Sequence, residues 1–211
     1  MSKLYRYGGI AASIILIVFG ISAMVIGASG RDTVRNNLSA EKITGTPDMT
    51  PKAIKAEGTA AGLKNVTYPT CSVAGKAVDT GNNARCFAQY MRIHALEATG
   101  GQVYSEMGRY LDANGKATDN QKQAAIDPKT KQPVENGARN LWVNETALST
   151  ALNTSYFAEN VALFSVVMGF ALLLTGVGFL ILSIRLLTPV TGEGEEKVIA
   201  PVRKGDAVLT A

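Results

Sequence analysis

Two long uncharged apolar segments constrain this chain more than any other feature of its sequence. One is residues 8–30, GGIAASIILIVFGISAMVIGASG, and the other is residues 161–184, VALFSVVMGFALLLTGVGFLILSI. A helix needs about 20 apolar residues to cross the hydrocarbon core of a bilayer, so each segment is long enough to span a membrane. The sequence therefore predicts an all-α membrane protein in which two transmembrane helices flank a small helical domain.

Small residues recur at steps of seven in both segments. This spacing places them on one helix face, where small side chains let a second helix approach closely. If the two helices run antiparallel, the spacing predicts three pairs across the interface: Gly27 with Ala162, Gly20 with Gly169, and Ser13 with Gly176. The alternative is that a third protein uses one of these faces. The predicted helix-packing residues are Ser13, Gly20, Gly27, Ala162, Gly169, Gly176 and Ser183.

The charges that flank the two segments predict their orientation. Lys3 and Arg6 precede the first segment, and Arg185 follows the second, while acidic residues precede the second segment. Basic residues concentrate on the cytoplasmic side of membrane helices. We therefore expect a cytoplasmic N-terminus, residues 1–7, and a cytoplasmic tail, residues 185–211.

A cleaved secretory signal peptide is the alternative for the first segment. Ala28-Ser29-Gly30 could serve as a small-residue cleavage site. However, the apolar core of a signal peptide has about 7 to 15 residues, and this run is longer, which favours an uncleaved anchor. In both interpretations residues 31–139 form an extracytoplasmic domain.

The two cysteines agree with that placement. Cys71 and Cys86 are the only cysteines of the chain, and both belong to the middle segment. In an oxidising compartment such an isolated pair predicts a disulfide, which would stabilise a loop of this size by about 3 kcal/mol. A redox or metal-binding pair is disfavoured because the C-x-x-C spacing is absent.

Helix signals divide the middle segment. Thr50 and Pro51 are typical of a helix start, and this helix is expected to end near Leu63. The strongest pattern is the helix 84–99, in which Phe87, Tyr90, Met91 and His94 share one side and Gly100-Gly101 forms the stop. Asp119 is expected to cap a short helix that ends near Ile126.

The pattern is helical without a break from about Ala138. It predicts a stalk helix, residues 140–184, that continues into the second transmembrane helix. Above the membrane this helix carries an apolar stripe on which the 84–99 helix is expected to pack: Leu141, Ala147, Leu148, Ala151 and Leu152.

Residues that carry chemistry are few. His94 is the only histidine, with Glu97 one turn later, and a single histidine favours a structural role over a metal site. Asp112, Asn114 and Asp119 do not follow the spacing of a calcium-binding loop. We therefore expect no metal, no cofactor and no catalytic residue. The net charge of +4 is spread without a basic patch, which argues against binding to nucleic acid.

Four segments resemble a known family. ITGTPDMTP (43–51), FAQYMRIHALEATGG (87–101), YSEMGRYL (104–111) and NETALSTALNTSYFAENVALF (144–164) are similar to two-span membrane proteins from actinobacteria that lack an assigned activity. The resemblance implies a bacterial plasma membrane. Members are often labelled aromatic ring-opening dioxygenases, but such an enzyme would hold iron with two histidines and a carboxylate, and this chain has one histidine.

Three classes of function are consistent with these patterns. The first, which we favour, is a non-enzymatic accessory or scaffold subunit of a larger respiratory, transport or envelope assembly, in contact with lipids and with other integral membrane subunits or copies of itself. The second is an extracytoplasmic sensor that signals through the stalk helix and binds a small ligand beside Tyr90, His94, Tyr104 and Tyr110. The third is an enzyme of unknown type that would depend on His94 and Glu97.

Overall fold

The computed structural model describes residues 2–185, in which four α-helices account for most of the fold. The helices are α1 (Ser2–Ala40), α2 (Pro51–Ala60), α3 (Gly81–Ala98) and α4 (Gly137–Arg185). Two 3-10 helices and one antiparallel hairpin lie between α3 and α4: Tyr104–Glu106, Gln121–Gln123, and the strands β1 (Tyr110–Leu111) and β2 (Ala117–Thr118), with Tyr110 opposite Thr118.

α1 and α4 form a long antiparallel pair, which is the most extensive helix contact in the described fold. Each contains a segment that is long and apolar enough to cross a membrane. The predicted segments 8–30 and 161–184 lie inside these two helices, so the prediction of two long apolar helices is confirmed. The predicted tail lies outside the described residues beyond Arg185.

The domain between the long helices is built on their extensions. α1 continues beyond its apolar segment to Ala40, and α4 begins at Gly137, as the unbroken helical pattern predicts. α3 runs antiparallel to α4, because Gly81 at its start contacts Glu159 and Arg92 near its end contacts Glu145.

Local signals place most element boundaries. Thr50 caps α2 by accepting a hydrogen bond from the Ala53 N–H at 3.2 Å, and Pro51 is the first helical residue, as predicted. The helix ends at Ala60, however, before Gly62, which has φ +71°. The predicted helix from Asp119 to Ile126 is wrong. Its place is taken by a loop with one 3-10 turn, because Asp119 accepts a hydrogen bond from the Arg109 N–H instead of capping a helix.

Side chains from α1, α2, α3 and α4 fill the core of the domain. Tyr90, Ile54 and Ile93 are its largest fully buried side chains, and Leu38 of α1 and Leu152 of α4 close it. A smaller distal cluster joins Met107 to Trp142 and Ala95.

The predicted apolar stripe on α4 is only partly correct. Leu152 is buried and Leu148 is half-buried, but Leu141, Ala147 and Ala151 are exposed. The buried face is rotated from the prediction because it includes polar residues, and α4 buries Trp142, Glu145, Leu152 and Glu159 in this region.

The predicted disulfide between Cys71 and Cys86 is confirmed. The two Cα atoms are 6.1 Å apart, within the usual range for a disulfide. The buried Tyr90 hydroxyl donates a 2.6 Å hydrogen bond to the carbonyl of Cys71, so the loop is attached to α3 twice. Both attachments anchor a segment that has little regular structure of its own.

Candidate functional site

Backbone approach between α1 and α4 is closest at the small residues. A Cβ atom on Gly20 would lie 2.7 Å from the Gly169 carbonyl oxygen, and one on Gly169 would lie 2.6 Å from the Gly20 carbonyl oxygen. A Cβ on Gly27 would lie 2.6 Å from the Ala162 carbonyl oxygen. No side chain larger than hydrogen fits at these glycines without a shift of backbone atoms. The pairs are the same as those that the seven-residue spacing predicts.

The end of the interface that lies away from the domain contains two buried serines. Ser13 is fully buried, lies opposite Gly176, and donates a 2.7 Å hydrogen bond to the carbonyl of Gly9 one turn earlier. Ser183 is also buried and packs against Gly9. The hydroxyl of Ser13 is thus satisfied within its own helix. All seven predicted helix-packing residues lie in this intramolecular interface.

One buried carboxylate joins three elements at the point where the apolar helix pair meets the domain. Glu159 of α4 accepts hydrogen bonds from Arg31 Nε at 3.0 Å and Arg35 Nε at 2.7 Å, both on α1. Its other oxygen accepts a 2.5 Å bond from the backbone N–H of Gly81, the first residue of α3. We call this group of four residues the Glu159 junction. It fixes α1, α3 and α4 to one another.

The electrostatics of the junction favour an ionised carboxylate. Burial raises the pKa of Glu159, but the Gly81 N–H and the guanidinium groups of Arg31 and Arg35 outweigh burial and hold the pKa of that carboxyl below its usual range. The start of α3 also contributes the positive end of a helix dipole. A negative charge at Glu159 is therefore part of the folded structure.

A second buried carboxylate connects α3 to α4 farther from the apolar segments. Glu145 accepts hydrogen bonds from Ser149 Oγ at 2.5 Å and from Arg92 at 3.4 Å. The guanidinium of Arg92 also lies over the ring of Trp142, 3.9 Å from its centroid. Such a cation–π contact adds packing to the ion pair. Arg92 therefore attaches α3 to two successive turns of α4.

The loop region beyond α3 is attached in a similar way. Arg139 of α4 donates a 3.0 Å hydrogen bond to the Met107 carbonyl and lies over the ring of Tyr104, 4.1 Å from its centroid. Asn136 donates a 2.9 Å bond to the Gly108 carbonyl. These contacts fix the position of the region between α3 and α4, although its only strands, β1 and β2, have two residues each.

His94 lies among carboxylates from three elements. Its Nδ1 is 3.7 Å from an oxygen of Glu57 on α2 and 4.0 Å from an oxygen of Glu97 on α3. Asp48, in the loop before α2, completes a group in which donor atoms of Asp48, Glu57 and His94 all lie within 4.8 Å of one another. A hydrogen bond from Thr46 and the nearby imidazole lower the pKa of Asp48 despite partial burial. These are the described residues that could hold a metal ion.

The four residues of the predicted ligand pocket do not line one cavity. Tyr90 is fully buried in the core, Tyr110 belongs to β1, and Tyr104 stacks on Arg139. His94 lines a different site, a largely apolar groove of about 620 Å³ between α3 and α4, together with Met91, Ala95, Leu141 and Leu148. Tyr90 points inward, where its hydroxyl donates a hydrogen bond to the Cys71 carbonyl. The prediction of a ligand pocket that the three tyrosines share with His94 is therefore wrong.

Another groove lies between α1 and α4 beside Gly27 and Ala162. Its volume is about 760 Å³, and many of its lining residues are small. They include Ser29 and Gly30 on α1 and Ala158 and Ser165 on α4, while Phe157 forms one wall. This outer groove is a second small-residue surface that adjoins the face that pairs α1 with α4 and shares Gly27 and Ala162 with it.

From the sequence, Glu145 and Glu159 count only as charges that favour one orientation of the second apolar segment, whereas the structure buries both. A signal for their burial was present, because Glu145, Leu152 and Glu159 recur at the same step of seven as the small residues. These positions are three residues out of phase with the small residues, and positions three and four residues apart in a seven-residue repeat share one helix face. The pattern therefore predicts that these side chains also face a neighbouring helix.

Comparison with known proteins found no matching family model, no matching curated protein and no matching solved structure.

Proposed function

We propose that this protein is a non-enzymatic integral membrane accessory or scaffold subunit of a larger plasma-membrane assembly, in a respiratory, transport or envelope-building role. In this proposal α1 and α4 cross the bilayer, both termini are cytoplasmic, and the domain lies on the extracytoplasmic side. Lys3, Arg6 and Arg185 support that orientation, because basic residues favour the cytoplasmic face.

The observation that carries the proposal is the outer groove. Small residues at membrane level permit the close approach of another helix, and the groove remains open after α1 and α4 have paired. We propose that a transmembrane helix of another subunit occupies it. The surrounding lipid-facing side chains are large and apolar, as in Phe19 and Phe164, each more than 60% exposed.

The way the domain is attached also supports a scaffold role. α1 and α4 extend from the apolar segments into the domain without a break, and the Glu159 junction and Arg92 attach α3 to them. A domain held by continuous helices and buried ion pairs keeps a fixed orientation relative to the bilayer. Three of its buried polar groups, the carboxylates of Glu145 and Glu159 and the Tyr90 hydroxyl, are engaged in structural contacts.

Gentle purification tests the proposal directly. The tagged full-length protein is extracted from native membranes in mild detergent, and proteins that co-purify in fixed ratio are identified by mass spectrometry. We expect at least one stoichiometric integral membrane partner. A protein that migrates as a monomer without a companion would refute the accessory role, and a pure homo-oligomer would assign the groove to a second copy of this chain.

A matched pair of variants tests the groove itself. Ala158→Leu fills the outer groove, whereas Ala171→Leu makes the same change on an exposed face of α4 that does not line it. We expect the partner to be lost from the first variant and retained by the second, with unchanged thermal unfolding in both. Retention of the partner by Ala158→Leu would show that the partner does not bind in the groove.

The second candidate function is an extracytoplasmic sensor of small apolar ligands. The observation that favours it is the groove of about 620 Å³ beside His94, which α3 and α4 line with mostly apolar side chains. A ligand there would contact the stalk part of α4 directly. A thermal-shift screen of the purified protein, with Leu148→Trp as a variant that fills the groove, distinguishes this function from the first. A stabilising compound that acts equally on both proteins would exclude this groove.

A further inference from the structure

Three segments that are far apart in sequence bring metal-ligating side chains together. Asp48 belongs to the loop before α2, Glu57 to α2, and His94 to α3. Each offers a donor atom, and these atoms lie within 4.8 Å of one another. Glu97 is a further carboxylate whose oxygen is 4.0 Å from the same imidazole nitrogen. The group lies on the domain, away from the α1–α4 interface and the outer groove.

The separations suit a metal ion better than direct pairing. His94 Nδ1 is 3.7 Å from Glu57 Oε2, which is too long for a hydrogen bond. Two ligands that each lie about 2.0 to 2.2 Å from one zinc ion are about 3 to 4 Å apart. The side chains therefore already have roughly the spacing of a coordination shell, with small rotamer adjustments left to close it.

The charges of the group also favour a bound metal ion. Three carboxylates surround one imidazole, and within the described residues none of the three has a lysine or arginine within 4.0 Å. The two buried carboxylates among the described residues differ, since Glu159 has two arginines and Glu145 has one. Like charges that share a site repel one another unless a cation compensates them. A divalent ion would supply that compensation.

We propose that Asp48, Glu57 and His94 bind a divalent transition-metal ion, with zinc as the best match and Glu97 within reach as a fourth ligand. The imidazole nitrogen selects zinc over calcium and magnesium, which prefer oxygen ligands alone. The number of histidines and cysteines in the sequence argues against a metal site, but that number leaves out carboxylates. The two carboxylate ligands, Asp48 and Glu57, come from segments that only the fold brings close to His94.

Binding would connect α2 and the loop before it to α3. These elements share few direct contacts, since Ile54 is the main side chain of α2 that enters the core. A metal that binds the folded state alone stabilises the protein, and the stabilisation grows with the logarithm of the free metal concentration once this exceeds the dissociation constant. The site would thus serve as a second cross-link of the domain, in addition to the disulfide, and it is independent of the partner proposed for the outer groove.

Zinc titration of the full-length protein tests the site. The protein carries a tag without histidines, is stripped of metal with a chelator, and is titrated with zinc in competition with a chromogenic chelator. We expect one equivalent to bind, and Asp48→Asn, Glu57→Gln and His94→Gln each to weaken binding at least about tenfold, a loss that even outer-shell changes can produce. Asp32→Asn, an exposed carboxylate on α1, is the control and should bind zinc as the wild type does.

A second measurement does not depend on any variant. Because His94 is the only histidine in the chain, the imidazole signals in a spectrum of ¹⁵N-histidine-labelled protein belong to it without ambiguity. Addition of zinc should shift the Nδ1 resonance to a metal-bound position at one equivalent. Wild-type protein that binds no zinc, an unchanged imidazole spectrum, or equal affinity in His94→Gln would overturn the proposal.

Discussion

The pairing of α1 with α4 predicts a large difference between two glycines of the same helix. Gly169 faces α1 so closely that a Cβ atom there would lie 2.6 Å from the Gly20 carbonyl oxygen and 2.8 Å from the backbone nitrogen of Met24. Gly178 has no atom within 4 Å of the corresponding position. Alanine at Gly169 must therefore push two helix backbones apart, whereas alanine at Gly178 meets open space.

The magnitude follows from that geometry. Ordinary contact between heavy atoms requires about 3.5 to 4 Å, so the helices must separate by roughly 1 Å along the tightest part of the interface. Overpacking of this kind costs about 1 to 3 kcal/mol. We expect Gly169→Ala to be less stable than Gly178→Ala by that amount, which is about a 5-fold to 150-fold change in the opening equilibrium. Both variants gain the same methyl group in the same helix, so helix propensity largely cancels from the difference.

Detergent titration measures this difference. Fluorophores at residues 8 and 184, at the paired ends of α1 and α4, report whether the pair is closed, and the purified variants are unfolded with SDS in mild-detergent micelles. We expect the midpoint for Gly169→Ala to fall well below those for Gly178→Ala and the wild type. Equal midpoints for the two variants would refute the close approach of the backbones and the register that pairs Gly20 with Gly169.

Three further predictions concern the domain. Glu159→Gln should destabilise the protein by about 1.5 to 3 kcal/mol, because it leaves Arg31 and Arg35 without a charged acceptor; chemical unfolding measures this, and a change under 0.5 kcal/mol would contradict the junction. Because the pKa of Glu159 is lowered in the folded state, the stabilisation by its carboxylate is complete above the usual carboxyl pKa and is lost as pH falls through the lowered pKa. The melting temperatures of the wild type and Glu159→Gln should therefore converge on acidification. A difference in melting temperature that stays constant with pH would contradict this sign. The double variant Cys71→Ser/Cys86→Ser should have a free energy of unfolding about 3 kcal/mol lower than that of the wild type. A reductant should lower the melting temperature of the wild type but not that of the double variant. A wild-type melting temperature that does not respond to reductant would contradict the disulfide.

Features with a local or periodic cause could be predicted from the sequence. The two apolar segments, the seven-residue recurrence of small residues and the unbroken helix from residue 137 depend only on which residues follow one another. The cap formed by Thr50 and Pro51 is equally local. The Cys71–Cys86 bond was predictable by elimination, since the chain has no other cysteine.

Errors arose where burial departed from hydrophobicity. The buried face of α4 was misplaced because it carries Glu145 and Glu159, and a carboxylate is buried only when arginines or backbone N–H groups reach it. Nothing near Glu159 in the sequence identifies Arg31, Arg35 and Gly81 as its partners, which lie 78 to 128 residues away. The predicted tyrosine pocket is wrong for a related reason, because the Tyr90 side chain is buried in the core of the domain.

The sequence by itself thus determined two apolar helices, the face of each whose small residues allow the two to pair closely, and the single disulfide. Hydrophobic length, helical periodicity and the cysteine count suffice for these features. Only the tertiary structure decided which polar side chains meet, as at the Glu159 junction and in the group of Asp48, Glu57 and His94. Such groups form when distant segments are brought within a few ångströms, and the positions of those segments depend on the packing of the whole domain.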